Sequence, residues 1–377
     1  MNDGNIGIGV IGTGFMGRCH AAAYGAAAGL FGLARRPALR ALADIDGARA
    51  AALGREFGFV RTTADWRELV ADAGIEVVAI TTPNHLHKEM ALAAIAAGKH
   101  VHCEKPLAVT AADGRALADA AEAAGVRTLV GYNFVRNPAI GLAKAMIEGG
   151  EIGAVVHFRG INTEDYMADP AVPFSWRCRR DLAGLGALAD LGSHCVSLAT
   201  YLVGEVEAVC GQTRVTIAER PSPDGPRKVE NEDHAHALLR FAGGALGTFE
   251  TSRVAPGRKS HLAFEITGTR GTLLFDQERM NELGYYGPGQ PPGREGFKTI
   301  LSGPSHPPYA AFCPAPGHGL GFNDLKVIEV AELLRAIVEQ RSAWPDFRAA
   351  WRMERVLHAI VRSAAERRWV DVAAVDS

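Results

Sequence analysis

The fold of this chain is decided by Gly12-Thr13-Gly14-Phe15-Met16-Gly17, a glycine-rich segment that directly follows the apolar run Ile6–Ile11. The apolar run predicts a buried strand, and the residues after the glycines predict a helix. In such a turn Gly12 permits the tight bend, Gly14 leaves the backbone open to a pyrophosphate, and Gly17 lets helix and strand pack closely. The helix N-terminus adds N–H donors and positive potential. The segment, with Phe15 and Met16, therefore predicts a dinucleotide-binding site.

From this segment to about Gly131 the apolar pattern alternates between strand-like and helix-like periods, which is typical of βαβ units. Four more strands are predicted at Leu39–Ala43, Glu76–Thr81, His100–Glu104 and Arg127–Gly131. The last three are separated by two predicted helices, His87–Ala97 and one that runs from a cap at Thr110 to Gly125. Right-handed crossovers then give a doubly wound parallel sheet.

After Gly131 the pattern changes to that of an antiparallel sheet, because strands follow one another without intervening helices. A helix at Ile140–Glu148 and a strand at Val155–Asn162 come first. Gly243-Gly244 predicts a two-residue hairpin, and Thr269-Arg270-Gly271 joins another strand pair. Two stretches, Glu219–Asn231 and Gly287–Gly321, are predicted to be loops, and a loop as long as the second is usually functional or disordered.

These patterns predict an α/β protein with two domains. Residues 1–131 form a dinucleotide-binding Rossmann domain, and residues 132–377 form a substrate-binding and oligomerisation α+β domain with a large, mostly antiparallel open sheet. The last predicted helices can pack back on the first domain.

Composition excludes several classes of function. The 377 residues carry a formal net charge of −2 and are 47% hydrophobic, so neither nucleic acid nor an anionic membrane is an expected partner. The polar start, Met1–Asn5, lacks the basic and apolar regions of a signal peptide, and we find no run that approaches about 18 apolar residues. Six scattered cysteines without a Cys-x-x-Cys pair indicate reduced thiols and a cytoplasmic protein.

An acidic residue at the end of the second strand is expected to bind the adenosine ribose, and Asp44 occupies that place. Asp46 is an alternative. A carboxylate repels a 2′-phosphate and the next residue, Ile45, is no cation, so NAD is favoured over NADP. We interpret Arg35 and Arg36 as solvated loop charges.

Two further segments lie where ligands of doubly wound sheets bind, at the carboxyl ends of strands. Thr81-Thr82-Pro83-Asn84-His85 is the first, although the nearby His85 and His87 are also typical of a surface or a helix cap. The second is His102-Cys103-Glu104-Lys105-Pro106. Its lysine can shuttle protons beside a cofactor, and its proline keeps that lysine extended and can form a cis bond.

A third candidate lies in the second domain, where Ala187–Leu202 is predicted to be helical. Asp190 and His194 are then four residues apart on one face of the helix. An imidazole near its ordinary pKa can accept the proton of a hydroxyl at neutral pH, and Asp190 can hold the imidazole or bind a neighbouring hydroxyl. The pair is also compatible with an ordinary helix surface.

Four segments in this order resemble the glucose-fructose oxidoreductase, inositol dehydrogenase and rhizopine-catabolism (Gfo/Idh/MocA) family of sugar and polyol dehydrogenases. They are Val10–Gly17, Thr82–His87, Glu104–Pro106 and Gly186–His194. The resemblance covers nearly the whole chain and implies a Rossmann domain, a C-terminal domain with a large open sheet, and a site in the cleft between them.

The resemblance also implies roles for single residues. The catalytic residues would be Lys105, Asp190 and His194. The cofactor would be held by Gly12, Gly14, Phe15, Met16, Gly17, Asp44, Thr82, Pro83, Asn84, His87, Glu104, Lys105, Asn133, Trp176 and Arg177. The substrate would meet Lys105, Tyr132, Arg177, Asp190 and His194. Tyr166 and His318 are further substrate candidates outside these motifs, and His318 can alternatively cap its own loop. Many relatives carry an acid where this chain has Ser197, a departure that bears on substrate orientation.

The sequence thus predicts an NAD-dependent oxidoreductase that acts on a ring-carbon hydroxyl of a sugar, anhydrosugar or inositol-like polyol, and a homodimer or homotetramer. The sequence leaves two alternatives open. One is a glycosidase that uses NAD transiently through oxidation and elimination, and the other is a non-catalytic NAD-dependent sensor.

Overall fold

The computed structural model describes residues 4–376, which include strands and helices in the following order. The strands are β1 (Ile6–Ile11), β2 (Pro37–Ala43), β3 (Arg61–Thr63), β4 (Val77–Ile80), β5 (His100–Cys103), β6 (Thr128–Val130), β7 (Val155–Thr163), β8 (Val206–Arg214), β9 (Glu219–Arg220), β10 (Arg227–Lys228), β11 (His234–Phe241), β12 (Leu246–Ser252), β13 (His261–Gly268), β14 (Thr272–Asp276), β15 (Glu282–Tyr286), β16 (Lys298–Leu301) and β17 (Val370–Asp371). The helices are α1 (Phe15–Phe31), α2 (Gly47–Phe57), α3 (Trp66–Ala71), α4 (His87–Ala96), α5 (Ala111–Ala124), α6 (Pro138–Glu148), α7 (Arg180–Ala183), α8 (Ser193–Leu202), α9 (Phe322–Val338) and α10 (Phe347–Glu366).

The chain divides into two compact units. The first comprises residues 1–136 and 321–351, and the second comprises residues 137–320 and 352–377. The first unit therefore includes α9, which comes late in the chain.

A parallel six-stranded sheet forms the centre of the first unit, with strand order β3-β2-β1-β4-β5-β6. This order is that of a doubly wound sheet and confirms the predicted fold. β1 is buried along its whole length, as expected of a central strand between two helical layers. β3 was not predicted, because this edge strand has only three residues and no apolar run.

The second unit is built on a nine-stranded sheet of order β16-β15-β14-β13-β7-β12-β11-β8-β17. Only β7 and β12 pair in parallel, so the sheet is mostly antiparallel, as predicted. β11 alternates strictly between buried and less buried residues, which shows that one face is packed and the other is open.

Three loop predictions need correction. The turn at Gly243-Gly244 is longer than two residues, because the Gly244 N–H bonds to the Phe241 carbonyl and the Phe241 N–H bonds to the Ala245 carbonyl. The stretch 219–231 contains the short hairpin β9–β10. The stretch 287–321 contains β16, which pairs with β15 and extends the sheet. The strands in these polar stretches have only two to four residues, which is too short for a recognisable alternation of apolar and polar side chains.

One segment of the described chain, Arg180–Leu202, is long and apolar enough by composition to cross a membrane, although the sequence analysis found no such run. In the structure 89% of its most apolar window is buried inside the protein. The segment is thus composed like a core segment of the second unit, with Asp190 and His194 interrupting its apolar residues.

Candidate active site

The glycine-rich loop of the first unit has the geometry that its sequence predicts. Gly12 has a φ of +105°, and a Cβ there would lie 2.7 Å from the Thr81 hydroxyl. A Cβ on Gly17 would lie 2.1 Å from the Gly12 carbonyl oxygen, so helix α1 can approach the loop only without a side chain. A Cβ on Gly14 would meet no heavy atom within 4 Å. The loop therefore leaves open space at the N-terminus of α1, where a pyrophosphate fits.

Asp44 lies at the end of β2, beside this loop. Its Oδ2 accepts hydrogen bonds from the Thr13 N–H at 2.8 Å and the Thr13 hydroxyl at 2.6 Å. Asp46 instead caps α2 by accepting from the N–H groups of Ala48 and Arg49. The alternative acid is thus engaged as a helix cap, whereas Asp44 stands next to the nucleotide loop. Arg35 is held by Glu76 at 2.7 Å, which removes it as a partner for a 2′-phosphate.

The segment after β4 is held by His87, which is fully buried. Its Nε2 lies 2.9 Å from the Thr82 carbonyl oxygen and its Nδ1 lies 2.8 Å from the Pro106 carbonyl oxygen. Burial is the main cause that lowers the pKa of His87. Both ring nitrogens therefore face protein carbonyls, and His87 connects the Thr82-Pro83-Asn84 loop to the lysine loop.

Glu104-Lys105-Pro106 follows β5, and the Lys105–Pro106 bond is cis, as the sequence analysis allowed. The Glu104 carboxylate is buried and points into the first unit, where Oε1 lies 2.8 Å from both His20 Nε2 and Lys326 Nζ. Its Oε2 accepts the Lys105 N–H at 3.3 Å. Glu104 thus connects to buried protein groups beside Lys105, which is itself half-buried.

Tyr132 and Asn133 follow β6 at the same edge of the sheet, and both are buried. Within the described chain the amide nitrogen of Asn133 is buried without a hydrogen-bond partner. An unsatisfied buried donor is costly unless a ligand or water meets it. Together with the open glycine loop, this donor fits a nicotinamide dinucleotide.

In the second unit Asp190 and His194 lie on consecutive helical segments. The expected regular α-helix from Ala187 is not what forms, because Leu188–Gly192 is a π-helical turn and only Ser193–Leu202 is α-helical. π-turns are frequent at functional sites, and this one carries Asp190. Glu232 holds the start of the turn by accepting the N–H groups of Gly186 and Leu188 at 2.6 and 3.0 Å. Burial raises the pKa of Glu232.

A polar group surrounds Asp190. The Tyr166 hydroxyl donates to its Oδ2 at 2.5 Å, and the Arg177 Nε lies 3.9 Å from the same oxygen. Burial of the hydroxyl and the charge of Asp190 raise the pKa of Tyr166 well above its usual value. The Trp176 ring stacks on the Arg177 guanidinium at 4.6 Å. The structure thus brings four predicted residues together in the second unit: Tyr166, Trp176, Arg177 and Asp190.

Two other predicted positions have local roles. The Ser197 hydroxyl donates to the His194 carbonyl at 2.7 Å and is fully buried, so it turns back into its own helix. His318 is exposed, and its Nδ1 lies 3.1 Å from the Pro316 carbonyl of its own loop. Its placement corresponds to the loop-capping alternative.

Among residues 4–376, two groups of side chains place ligand atoms within 4.8 Å of one another: His20, His102 and Glu329 in the first unit, and His234, His236 and Glu250 in the second. The first group already contains the ammonium of Lys326, 2.6 Å from Glu329 Oε1, and is therefore an ion-pair network rather than a metal site. In the second group the Nε2 atoms of His234 and His236 are 2.5 Å apart, so one ring donates an N–H to the other.

Sequence reasoning missed the buried network around Glu104, whose other members are His20, Tyr24, His102, Lys326 and Glu329. A signal was present, because Lys326 and Glu329 lie among apolar residues of α9 where a solvated charge would not. The sequence allowed the last helices to pack on the first domain, but it did not indicate that α9 lies against α1.

Comparisons with known proteins support the same interpretation. A model described as an oxidoreductase family with an NAD-binding Rossmann fold matches residues 6–132, and one described as the GFO/IDH/MocA C-terminal domain matches residues 140–274.

Among curated proteins, levoglucosan dehydrogenase of Pseudarthrobacter phenanthrenivorans is 40% identical over an alignment that covers 98% of each chain. The NAD(+)-dependent scyllo-inositol 2-dehydrogenase of Bacillus subtilis is 31% identical over 60% of this chain and 63% of that protein. A solved structure of levoglucosan dehydrogenase with NADH and levoglucosan is similar with a TM-score of 0.95 at 41% identity, covering 98% of this chain and 99% of that one.

Proposed function

The chain belongs to the Gfo/Idh/MocA family of NAD-dependent oxidoreductases, and from this premise we propose that it oxidises a ring hydroxyl of an anhydrosugar, levoglucosan or a close analogue. The observation that carries the proposal is similarity to levoglucosan dehydrogenase along 98% of both chains. NAD is the cofactor of this enzyme class, and the open glycine loop, Asp44 and the unsatisfied Asn133 amide fit it.

Residues of the first unit hold the cofactor in this proposal. The N–H groups at the start of α1 bind the pyrophosphate across Gly14, with Phe15 and Met16 beside it, and Asp44 binds the adenosine ribose. Thr82, Pro83, Asn84 and Asn133 line the edge of the sheet, and we assign Trp176 and Arg177 of the second unit to the cofactor as well. His87 and Glu104 act through their neighbours, because their polar atoms bond to protein groups. When bound, NAD supplies the hydride acceptor.

Residues of this chain manage the proton. Loss of hydride from an alcohol carbon requires loss of the hydroxyl proton, and we assign its acceptance to His194 or Lys105. Asp190 binds a neighbouring hydroxyl or orients the imidazole, and Tyr166, which donates to Asp190, keeps that carboxylate in one direction. Tyr132 and Arg177 complete the substrate groups. Hydrogen bonds of this kind discriminate strongly against analogues that lack a hydroxyl. His318 is retained as the weakest substrate candidate.

The test is NAD reduction with a panel of anhydrosugars, aldoses and cyclic polyols, followed by absorbance of NADH. Lys105→Ala and His194→Ala are each expected to lower kcat by about a hundredfold or more. NAD affinity, measured by calorimetry, should change by less than about threefold, because Lys105 is one of many groups expected to contact the nucleotide and His194 is not among them. Near-normal turnover of either variant would contradict the assigned roles. Release of a leaving group without net NADH would instead support an NAD-dependent glycosidase.

We also propose that two or four copies associate through the open face of the nine-stranded sheet. This face carries Leu238 and Leu246, which are 51% and 57% exposed, beside charged groups such as Arg159 and Glu265. Exposed apolar side chains rimmed by charge are typical of an association surface. Light scattering should give a dimer or tetramer mass, and Leu238→Lys with Leu246→Lys should shift it to a monomer.

A cytoplasmic location is proposed on the cysteines. All six lie in the described part of the chain, no disulfide joins any of them there, and four are buried. Reduced thiols are typical of a reducing compartment.

A further inference from the structure

A buried network in the first unit connects three separate stretches of chain to the proposed catalytic lysine. His20 and Tyr24 lie on α1, His102 and Glu104 lie on or beside β5, and Lys326 and Glu329 lie on α9. All six side chains are buried, and none except Glu104 exceeds 1% exposure. Charged groups are rarely buried so completely unless they are paired.

The hydrogen bonds assign a direction to each proton in this network. Glu104 and Glu329 accept only, so the Lys326 ammonium donates to Glu104 Oε1 at 2.8 Å and to Glu329 Oε1 at 2.6 Å. His20 Nε2 donates to Glu104 at 2.8 Å, and His102 Nε2 donates to Glu329 at 2.9 Å.

This arrangement leaves His102 Nδ1 to accept the Tyr24 hydroxyl at 3.1 Å. Each imidazole therefore carries one proton, on Nε2, and every hydrogen bond named here pairs a donor with an acceptor.

The charges of the network agree with this assignment. Although burial opposes ionisation, Lys326 and His20 hold the pKa of Glu104 well below its usual value. Burial likewise opposes the ammonium, but Glu104 and Glu329 raise the pKa of Lys326. Burial lowers the pKa of His20 to about 4, so this ring is neutral at neutral pH. One ammonium thus sits between two carboxylates.

Space around Glu104 is restricted from the other side by Gly131, which follows β6. A Cβ on Gly131 would lie 2.7 and 2.8 Å from the two carboxylate oxygens. Lys326 and His20 hold Oε1 while the glycine backbone limits the opposite side, and Oε2 is left to accept the Lys105 N–H at 3.3 Å. The next residue is held as well, because His87 bonds to the Pro106 carbonyl.

We propose that Lys326, through Glu104, is a positioning residue for Lys105: the buried ammonium on α9 fixes the carboxylate that holds the Lys105 backbone. His20 contributes from α1, the helix whose N-terminus faces the cofactor site, so the network couples the nucleotide loop to the lysine loop. A misplacement of about 1 Å at a reacting group can cost about a hundredfold in rate, so such a support has measurable consequences. This inference rests on the proposed role of Lys105.

The test compares Lys326→Met with Lys99→Met. Lys99 precedes β5 at the opposite end of the same strand and donates to the carbonyls of Asp72 and Ile75 at 2.9 and 2.7 Å. It is a lysine of the same unit that also donates two hydrogen bonds, but to backbone carbonyls instead of Glu104, which makes it the control.

The first measurement does not depend on activity. Hydrogen exchange, followed by mass spectrometry on a fragment that contains Lys105, should be about tenfold faster in Lys326→Met than in the wild type and unchanged in Lys99→Met. The second measurement is steady-state kinetics well below the melting temperature of each variant. kcat should fall about tenfold to a hundredfold in Lys326→Met, with the KM for NAD changed less than about threefold.

If Lys326→Met does not fold, Gly131→Ala tests the same claim, because it displaces the Glu104 carboxylate and leaves every charge in place. Glu329→Gln should retain most of the activity, since its amide oxygen can still accept from Lys326 and the bond to Glu104 remains.

Unchanged exchange at Lys105 in both Lys326→Met and Gly131→Ala would overturn the inference, whatever the activity. Faster exchange with unchanged kcat would overturn the claim that this positioning of Lys105 supports turnover. Exchange can rise as expected while none of the sugars tested supports NAD reduction by the wild type. In that case the proposed function fails and the positioning of Lys105 stands.

Discussion

Gly14 and Gly17 belong to one glycine-rich segment, Gly14 as the N-cap of α1 and Gly17 within the helix, and substitution by alanine separates their roles. A methyl at Gly14 meets no protein atom within 4 Å, whereas a methyl at Gly17 would lie 2.1 Å from the Gly12 carbonyl oxygen. Gly14→Ala should therefore weaken the binding of the nucleotide, and Gly17→Ala should lower the free energy of unfolding.

The magnitudes follow from these distances. A real Cβ stays at least 3.0 Å from such an atom, so helix α1 or the loop must move by about 1 Å in Gly17→Ala. Overpacking of this kind costs about 1–3 kcal/mol of the free energy of unfolding. In Gly14→Ala the backbone conformation, φ −67° and ψ −169°, suits alanine, and only the weaker N-cap preference costs stability, about 1 kcal/mol or less. The methyl occupies the space that the pyrophosphate needs, so the NADH Kd should rise about tenfold or more, or 1.4 kcal/mol.

Two assays measure these effects, urea unfolding without nucleotide and a titration of NADH fluorescence. Gly25→Ala in the same helix is the matched control, because its Cβ also meets no atom within 4 Å but lies away from the helix start. This control should bind NADH normally and unfold at slightly higher urea. An unchanged NADH Kd in Gly14→Ala, or an unchanged unfolding free energy in Gly17→Ala, would refute the reasoning.

Two further predictions concern selectivity and pH. Asp44→Ala should raise the Kd of NAD about tenfold or more, because the acceptor for the adenosine ribose is lost. The preference for NAD over NADP should narrow, because the charge that repels the 2′-phosphate is also lost. An unchanged ratio of the two Kd values in calorimetry would contradict this. Burial lowers the pKa of His358 to about 4, so the unfolded chain binds a proton that the folded chain lacks as pH falls from about 6.5 to 4. The contribution of His358 to the free energy of unfolding should be fully present above pH 6.5 and be lost, by up to about 3 kcal/mol, as the pH falls to about 4. In His358→Gln the free energy of unfolding should fall less steeply with decreasing pH, because about one fewer proton is taken up on unfolding. An identical pH profile of unfolding in the variant would show that His358 is not the cause.

The sequence predicted the first sheet well because its strands are short apolar runs that end in glycine or cap residues. β1 was predicted at its exact bounds, and α5 begins after its predicted cap Thr110 and ends before Gly125. The parallel order then followed from the handedness of the crossovers. Edge strands such as β3 and β16 could not be predicted in this way, because they carry few apolar residues and depend on neighbours that are distant in sequence.

The candidate site was predicted unevenly for a similar reason. Residues in contiguous motifs, such as Gly12–Gly17 and Glu104–Pro106, could be proposed from the sequence because the roles assigned to them depend on a fixed local spacing. Lys326 was not found, because its bond to Glu104 joins positions 222 residues apart. The π-turn at Asp190 was also not predictable, since it depends on Glu232 accepting two N–H groups from a remote part of the chain.

The most direct test is to follow the hydrogen itself. Levoglucosan deuterated at its ring carbons is incubated with the enzyme and NAD, and the nicotinamide product is examined by NMR. We predict one deuterium at the nicotinamide C4 of NADH for each sugar oxidised, and loss of this product in Lys105→Ala. Consumption of the sugar with all deuterium retained in the sugar products and no NADH formed would contradict a dehydrogenase.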